Sequence, residues 1–297
     1  MTDHVARAVA AAVAVARAHG LTVADPVLLN HGSNAVVHLR PAPVVARVAT
    51  MTPLLRPDIT RSLGREVALA GALTAAGAAV VPPSDLLPPG PHQHDGLAVS
   101  FWRYVEFLPD RPTAVEAGRA LGDLHAVLAD LPPLWNGSLL DTPLEDLAVF
   151  AGRGAELGAD PALVRRTAEL TERLQPLLGG PVLTLHGDPH PGNLLRTAAG
   201  LRWADLEDTS RGPRGWDLAC LRTTRRLDGR AAIDAMPEPI SEEELAPFVW
   251  LRRLHAGAWW FVHATRDPTD LPEAVQRLTA GIEEVSAGLR TGPPGRG

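Results

Sequence analysis

Residues 184–195, TLHGDPHPGNLL, place several polar side chains capable of chemistry between apolar ends. Among them, His186, Asp188 and Asn193 follow the pattern His-x-Asp-x-x-x-x-Asn. In phosphoryl-transfer enzymes, an aspartate at this position accepts or orients the proton of an attacking hydroxyl, and the amide oxygen coordinates the magnesium on the nucleotide phosphates. The alternative is a structural turn, in which Asp188 and Asn193 only satisfy backbone groups of the loop.

A second candidate ligand for the same cation follows twelve residues after Asn193. Asp205, in RWADLED, lies at the end of a predicted strand. A hard divalent cation prefers oxygen ligands, and Asn193 with Asp205 would supply two, with waters and phosphates completing the shell. The alternative is an ordinary turn, because Glu207 and Asp208 are close by and could share a solvated loop.

Two features upstream are of a kind that holds nucleotide phosphates. Gly32, Ser33 and Asn34 form a predicted tight turn whose backbone N–H groups could lie over phosphates, although most such turns only connect hairpins. Arg47, in a Val-rich strand, and Glu66, in the following helix, have the spacing of a cation–carboxylate pair that holds the α- and β-phosphates. Arg47 could equally be an exposed strand cation. The chain contains no lysine, so arginine must take any role that lysine usually fills.

The elements that must position these residues change in type along the chain. Up to about residue 104, the patterns predict strands in VLLNHGSNAVVHLR, APVVARVAT and GLAVSFWRYVEF, with one long helix in TRSLGREVALAGALTAAG. From residue 111 they predict mainly helices, with short strands in PVLTLHGD, NLLRTAA and GLRWADLED. The sequence therefore predicts an α+β protein with a small β-rich lobe over 1–104 and a larger helical lobe over 105–297.

Composition narrows the possible classes of function. The 297 residues are 45% hydrophobic and 21% charged, as in globular proteins, and the net charge of −6 argues against nucleic acid as the main partner. The single cysteine, Cys220, allows no internal disulfide and is interpreted as a core residue. The Ala-rich start is interpreted as a helix rather than a signal peptide, and no apolar stretch is long enough to span a membrane. We therefore expect a cytoplasmic protein.

Together these motifs resemble the aminoglycoside phosphotransferase/choline kinase family, small-molecule relatives of the protein kinases. LHGDPHPGNLL is similar to that family's catalytic loop, and WADLEDTSRGPRGWDLA is similar to its metal-binding segment. RALGDLH resembles the helix that precedes them, and VSFWRYV resembles the hinge strand. The resemblance extends over about residues 25–265, with one departure, because Arg47 stands where the family usually has a phosphate-binding lysine.

The resemblance implies a protein-kinase-like two-lobed fold and a magnesium-dependent transfer of the γ-phosphate of ATP or GTP to a small-molecule hydroxyl. The resemblance implies that Asp188 is the catalytic base and that Asn193 and Asp205 are magnesium ligands. It also implies that Arg47 and Glu66 form the phosphate clamp. The backbone near Arg103 and Val105 would contact adenine. His186 and Asp217 would brace the loop, and for His190 we favour a structural role.

Two other functions compete with this one. The first is a catalytically weak relative of this family that binds a nucleotide or a small ligand. This alternative stays open because Arg47 replaces the usual lysine. The second is a protein kinase, which is disfavoured because only twelve residues separate Asp205 from Asp217, leaving no long activation segment, and no Ala-Pro-Glu follows.

The charge of the acceptor stays open between two interpretations. Residues 131–297 carry 23 Asp and Glu against 18 Arg, including the glutamates at 242–244, which favours a cationic acceptor such as an aminoglycoside antibiotic. Trp250, Trp259 and Trp260 favour a flatter, uncharged acceptor. Each set also has an ordinary explanation, since glutamates stabilise a helix N-terminus and tryptophans pack between helices.

Overall fold

The computed structural model describes residues 3–291. The chain divides into two compact units. The first runs to Asp110 and also contains Leu195–Glu207, whereas the second contains Arg111–Leu194 and continues from Asp208. The first unit thus contains residues 105–110 and 195–207, which lie in the second of the predicted lobes, and the lobe boundary between 104 and 105 stays a prediction.

The first unit is built on a five-stranded antiparallel sheet with the order β1-β2-β3-β5-β4. Its strands are β1 Asp25–His31, β2 Asn34–Arg40, β3 Val44–Ala49, β4 His92–His94 and β5 Leu97–Arg103. Gly32 and Ser33 connect β1 to β2, as the turn signal predicts. Every residue of β3 is buried, so Arg47 on this strand is a buried arginine and not an exposed strand cation.

Two helices accompany this sheet. Helix α1 (Asp3–Ala18) places Ala8, Ala12 and Val15 in the same core cluster as the sheet valines, so its apolar face covers the sheet. Helix α2 (Ile59–Ala75) begins at Asp58, whose side chain accepts the Arg61 N–H, and carries Glu66 on its buried face.

Residues 195–207 join the first unit through a short hairpin. Strands β6 (Val182–Thr184), β7 (Leu194–Thr197) and β8 (Gly200–Trp203) follow one another in the chain, and β7 pairs with β8. The Trp203 N–H donates to the Ala79 carbonyl, and the Trp203 carbonyl accepts from Val81. These bonds fix the hairpin to the segment after α2, and Asp205 and Glu207 follow directly.

The second unit is mainly helical, and its two strands, β6 and β9 (Arg211–Pro213), pair antiparallel. Its helices within the described range are α3 Ala114–Asp130, α4 Asp141–Arg153, α5 Pro161–Leu174, α6 Gly215–Thr223, α7 Gly229–Asp234, α8 Glu242–Ala264 and α9 Leu271–Thr291. The predicted α+β fold, with an antiparallel sheet in one part and mainly helices in the other, is confirmed.

The start of α8 shows how its glutamates and one of its tryptophans are used. Ser241 and Glu244 form a capping box, and Glu242 pairs with Arg222 at 2.9 Å, so these carboxylates stabilise the helix N-terminus. Trp250 is buried against α9, where a Cβ at Gly288 would lie 2.1 Å from its ring. The ordinary explanations therefore account for both of these features.

Among residues 3–291, no helix is both long and apolar enough to cross a membrane.

Candidate active site

The residues predicted from the sequence fall into two groups, one in each compact unit. The first unit holds Gly32, Ser33, Asn34, Arg47, Glu66, Arg103, Val105 and Asp205. The second unit holds Asp188 and Asn193.

Arg47 is surrounded by three carboxylates. Its Nη1 lies 2.5 Å from Glu66 Oε1, and its Nη2 lies 2.5 Å from Asp205 Oδ1 and 2.9 Å from Glu207 Oε2. The side chains of Arg47 and Glu207 are each 8% exposed and that of Glu66 is 1% exposed, whereas Asp205 is 41% exposed. We call these four residues the Arg47 cluster. The pairing of Arg47 with Glu66 follows the predicted spacing, and Glu207 is a partner that no local pattern predicted.

The charge of Arg47 is fixed by its neighbours. Burial alone would lower the pKa of the guanidinium, but the three carboxylates, Asp205 foremost, raise that pKa well above its ordinary value. Asp205 itself has φ +65°, a left-handed conformation that is uncommon for non-glycine residues but that Asp adopts more readily than most.

The turn at residues 32–34 is tied to the same cluster. Asn34 is buried, and its Nδ2 donates to Glu207 Oε2 at 2.9 Å while its Oδ1 accepts from the Thr52 hydroxyl at 2.8 Å. The Ser33 carbonyl accepts the Met51 N–H at 2.9 Å. The Asn34 side chain is therefore committed to internal contacts, and the role of the turn backbone in phosphate binding stays a prediction.

The predicted hinge segment is held by backbone hydrogen bonds. The Arg103 N–H donates to the Pro82 carbonyl at 3.1 Å, and the Tyr104 N–H donates to the Pro43 carbonyl at 2.8 Å. The Tyr104 ring stacks on His38 with 3.9 Å between centroids. These two N–H groups are therefore donated within the first unit, and the adenine contacts of the backbone near Arg103 and Val105 stay a prediction.

The loop after β6 has a backbone that only glycine permits at one point. Gly187 has φ +94°, and a Cβ there would lie 1.9 Å from the Asp208 carbonyl oxygen. Asp217, fully buried on α6, accepts the N–H groups of His186 at 3.0 Å and Gly187 at 2.8 Å and pairs with His125 at 2.8 Å. Asp217 thus braces the loop by hydrogen bonds.

The same loop closes on itself around Asp188. Asn193 Nδ2 donates to the Asp188 carbonyl at 3.0 Å, which leaves Asn193 Oδ1 as the atom suited to a cation. His190 Nδ1 accepts the Gly192 N–H at 2.8 Å, and its Nε2 lies 3.7 Å from Asp188 Oδ2. His190 therefore shapes the loop, which is the role we favour from the sequence.

Arg252, on α8, is the residue near Asp188 that no sequence motif predicted. Its Nη2 donates to Asp188 Oδ1 at 2.7 Å, and the two side chains are 16% and 17% exposed. The guanidinium also lies 5.9 Å from the ring centroid of Trp216, whose Nε1 donates to the Gly187 carbonyl. Arg252 and Asp188 lie 64 positions apart in the chain, so their contact arises from tertiary packing and no local pattern could indicate it.

Cys220 is buried and its thiol donates to the Gly187 carbonyl at 3.4 Å. Burial raises the pKa of this thiol well above its ordinary value, so the thiolate is disfavoured. Its interpretation as a core residue rather than a nucleophile agrees with this environment.

The family of this chain is shown by its similarity to known proteins. The model of the phosphotransferase enzyme family matches residues 54–238, more than half of the chain. The chain belongs to this family. The matched range includes the loop of Asp188 and the Arg47 partners Glu66, Asp205 and Glu207, while Arg47 itself precedes it. No curated protein matches the chain.

Solved structures of other phosphotransferases share the fold. A microcompartment-associated aminopropanol kinase is 19% identical, with a TM-score of 0.67 over 93% of this chain and 96% of that one. The choline kinase LicA of Streptococcus pneumoniae is 15% identical, with a TM-score of 0.62 over 91% of this chain and 96% of that one. An aminoglycoside 2'-phosphotransferase-IIIa, solved with GDP, is 14% identical, with a TM-score of 0.61 over 94% of this chain and 98% of that one. These likenesses confirm the predicted kinase-like fold.

Proposed function

We propose that the protein is a small-molecule kinase that transfers the γ-phosphoryl group of magnesium-bound ATP or GTP to a hydroxyl group. The observation that carries this proposal is the loop around Asp188. Its backbone is fixed by Asp217, and it presents a part-buried carboxylate held by Arg252 five residues before an amide oxygen suited to a cation. Membership of the phosphotransferase enzyme family and the nucleotide complex of a structural neighbour support the same reaction.

Asp188 is proposed as the catalytic base. Phosphoryl transfer depends on positioning and on charge stabilisation, so the carboxylate acts by orienting the acceptor hydroxyl and accepting its proton as attack proceeds. Arg252 occupies Oδ1, which leaves Oδ2 as the oxygen for that hydroxyl.

The side chains available for magnesium fit a hard cation in their chemistry. Asn193 offers Oδ1, and Asp205 offers a part-exposed carboxylate, so both proposed ligands are oxygens. The described residues contain no group of three or more His, Cys, Asp or Glu that could hold a metal by themselves. That composition is typical of a magnesium that is bound together with substrate phosphates, whose developing charge the ion would neutralise.

Arg47 is proposed to position the phosphate-binding groups of the first unit. An arginine has five N–H donors in a planar fork, so it can hold several carboxylates and still offer donors to a phosphate. A lysine has only a compact point charge on a flexible stem. The guanidinium pairs with the buried carboxylates of Glu66 and Glu207 and with that of Asp205, which supports a role in organising the nucleotide site.

The acceptor is proposed to be a hydroxylated small molecule. Glu242 and Glu244 stabilise the start of α8, so they no longer favour a cationic acceptor by themselves. The structural neighbours are named for aminopropanol, choline and aminoglycosides, which are hydroxyl compounds that carry an amine or a quaternary ammonium group. A cationic and an uncharged acceptor therefore both belong in the test.

A turnover panel tests the proposal. Release of ADP or GDP from the magnesium nucleotides would be measured with choline, 1-amino-2-propanol, kanamycin, a macrolide and a nucleoside, at low and moderate salt. We expect acceptor-dependent turnover with at least one compound. The rate should fall with salt for a cationic acceptor and stay constant for a neutral one, because only the former is attracted by the acidic protein.

Wild-type protein without acceptor and Asp188→Asn with acceptor are the controls. Tight binding of magnesium nucleotide without turnover of any compound would favour the alternative function, a nucleotide-binding module. Equal affinity for the nucleotide with and without magnesium would contradict Asn193 and Asp205 as ligands.

A further inference from the structure

A chain of three polar side chains reaches Asp188 from the interior of the second unit. Asp146 on α4 contacts His255, His255 contacts Arg252, and Arg252 contacts Asp188, with separations of 2.9, 3.2 and 2.7 Å. We propose that Arg252 is the positioning residue for Asp188 and that Asp146 and His255 hold Arg252 in place for this task. The proposal rests on the proposed function of Asp188.

The hydrogen bonds of this chain can run in one direction only. Arg252 has donors and no acceptor, so His255 Nδ1 must accept from Arg252 Nη1. The proton of the neutral imidazole is then on Nε2, which donates to Asp146 Oδ2. Trp259 Nε1 lies 3.0 Å from Asp146 Oδ2 and 3.1 Å from His255 Nε2, and because His255 Nε2 carries the proton, the Trp259 N–H donates to Asp146. The histidine tautomer is thus set from one side by a carboxylate and from the other by a guanidinium.

Burial gives the chain its rigidity. The side chains of Asp146 and His255 are 1% and 3% exposed, so neither can exchange its partner for water without a large desolvation cost. Arg252, His255 and Trp259 lie at spacings of three and four residues on α8, which places them on one face of that helix. Packing of α8 on α4 therefore sets the position of the guanidinium.

These contacts fix the orientation of the Asp188 carboxylate before the substrate binds. A free arginine side chain loses rotational entropy whenever it is held in one geometry, and here this ordering occurs on folding. A base held within a fraction of an ångström of its working position contributes far more than a mobile one, since a misplacement of about 1 Å can cost about a hundredfold in rate. Arg252 acts through Asp188 and is not itself a catalytic residue.

The test combines single and double substitutions with a matched control. Arg252→Met, Arg252→Lys, His255→Ala and the Arg252→Met/His255→Ala double variant would be assayed with MgATP and whichever acceptor of the panel the wild type uses fastest. The control is Arg253→Met, because Arg253 is the next residue on α8 and only pairs with Glu284 across an exposed surface at 3.2 Å.

We expect Arg252→Met to lower kcat by about a hundredfold with KM for MgATP nearly unchanged. Arg252→Lys should recover part of kcat, because a point charge can still pair with Asp188 but cannot also donate to His255. His255→Ala should lower kcat by a smaller factor. The double variant should be no slower than Arg252→Met, because His255 then has no guanidinium to position. Arg253→Met should keep the wild-type kcat.

Different outcomes separate the two proposals. If wild type is active, Asp188→Asn is inactive and Arg252→Met keeps its kcat, only the positioning role is overturned. Additive losses in the double variant would also overturn it. An inactive wild type overturns the proposed function and this role together. If Arg252→Met does not fold, Arg252→Lys and His255→Gln replace it in the test. The role of His255 would be contradicted if His255→Gln keeps the wild-type kcat and its crystal structure shows the Arg252 guanidinium in the same position.

Discussion

Asp188→Asn is expected to fold as the wild type does and to bind MgATP, yet to transfer phosphoryl groups about a hundredfold to ten-thousandfold more slowly. The amide keeps the shape of the carboxylate and can still accept from Arg252 through its oxygen. It cannot accept the proton of the acceptor hydroxyl, so the lost contribution is confined to the chemical step.

Steady-state kcat with the acceptor identified from the panel is the measurement, and thermal unfolding and MgATP affinity show that fold and binding persist. Asp234→Asn is the matched control, because Asp234 lies in the same unit and pairs with Arg230 on the surface. Wild-type turnover in Asp188→Asn would remove this residue from the reaction.

Arg47→Ala is expected to lower the free energy of unfolding by about 3–5 kcal/mol, the usual cost of removing one partner from a buried ion pair. The reason is that Glu66 and Glu207 would remain buried with their shared cation gone. The Asp205 carboxylate would also lose its ion-pair partner. Affinity for MgATP should fall with the same substitution, because the predicted phosphate clamp is disassembled.

Urea unfolding and calorimetric MgATP binding would measure the two effects. Arg47→Lys should retain part of both, since one ammonium can pair with some of the carboxylates but cannot form the planar fork. Arg40→Ala is the control: Arg40 lies on the neighbouring strand β2 and pairs with Asp25 at 3.8 Å on the surface, so its loss should cost about 1 kcal/mol or less. A similar small cost for Arg47→Ala would contradict the importance of the Arg47 cluster.

The longer strands and the helices α1, α2, α3, α5 and α8 could be predicted from local patterns, whereas α4 and α9 fall only within the general prediction of helices after residue 111. The Gly32-Ser33 turn between Val-rich segments, the apolar spacing of α2 with Gly77 beyond its end, and the capping box before α8 are all local signals. The three-residue strands β4 and β9 and the six-residue helix α7 carry too few residues for a periodic pattern, so they could not be predicted.

The residues of the candidate site also differ in whether a local sequence pattern predicts them. His186, Asp188 and Asn193 could be found because one loop carries them at a fixed spacing, and Arg47 with Glu66 because a strand and the next helix place them together. Glu207 contacts Arg47 and Arg252 contacts Asp188 only through tertiary packing, across 160 and 64 positions of the chain respectively. No local pattern reports such contacts, and the roles themselves stay predictions until the substitutions above are measured.

The close approach at Gly187 bears on how a saturation mutagenesis screen of this chain should be interpreted. Since any side chain there would overlap the Asp208 carbonyl, substitutions at this position should remove the folded protein from the cell, whereas those at the adjacent Asp188 should leave it abundant and inactive. A growth-based score would record both positions as equally intolerant. Only a parallel score of protein abundance would distinguish the residue that permits the loop from the residue that uses it.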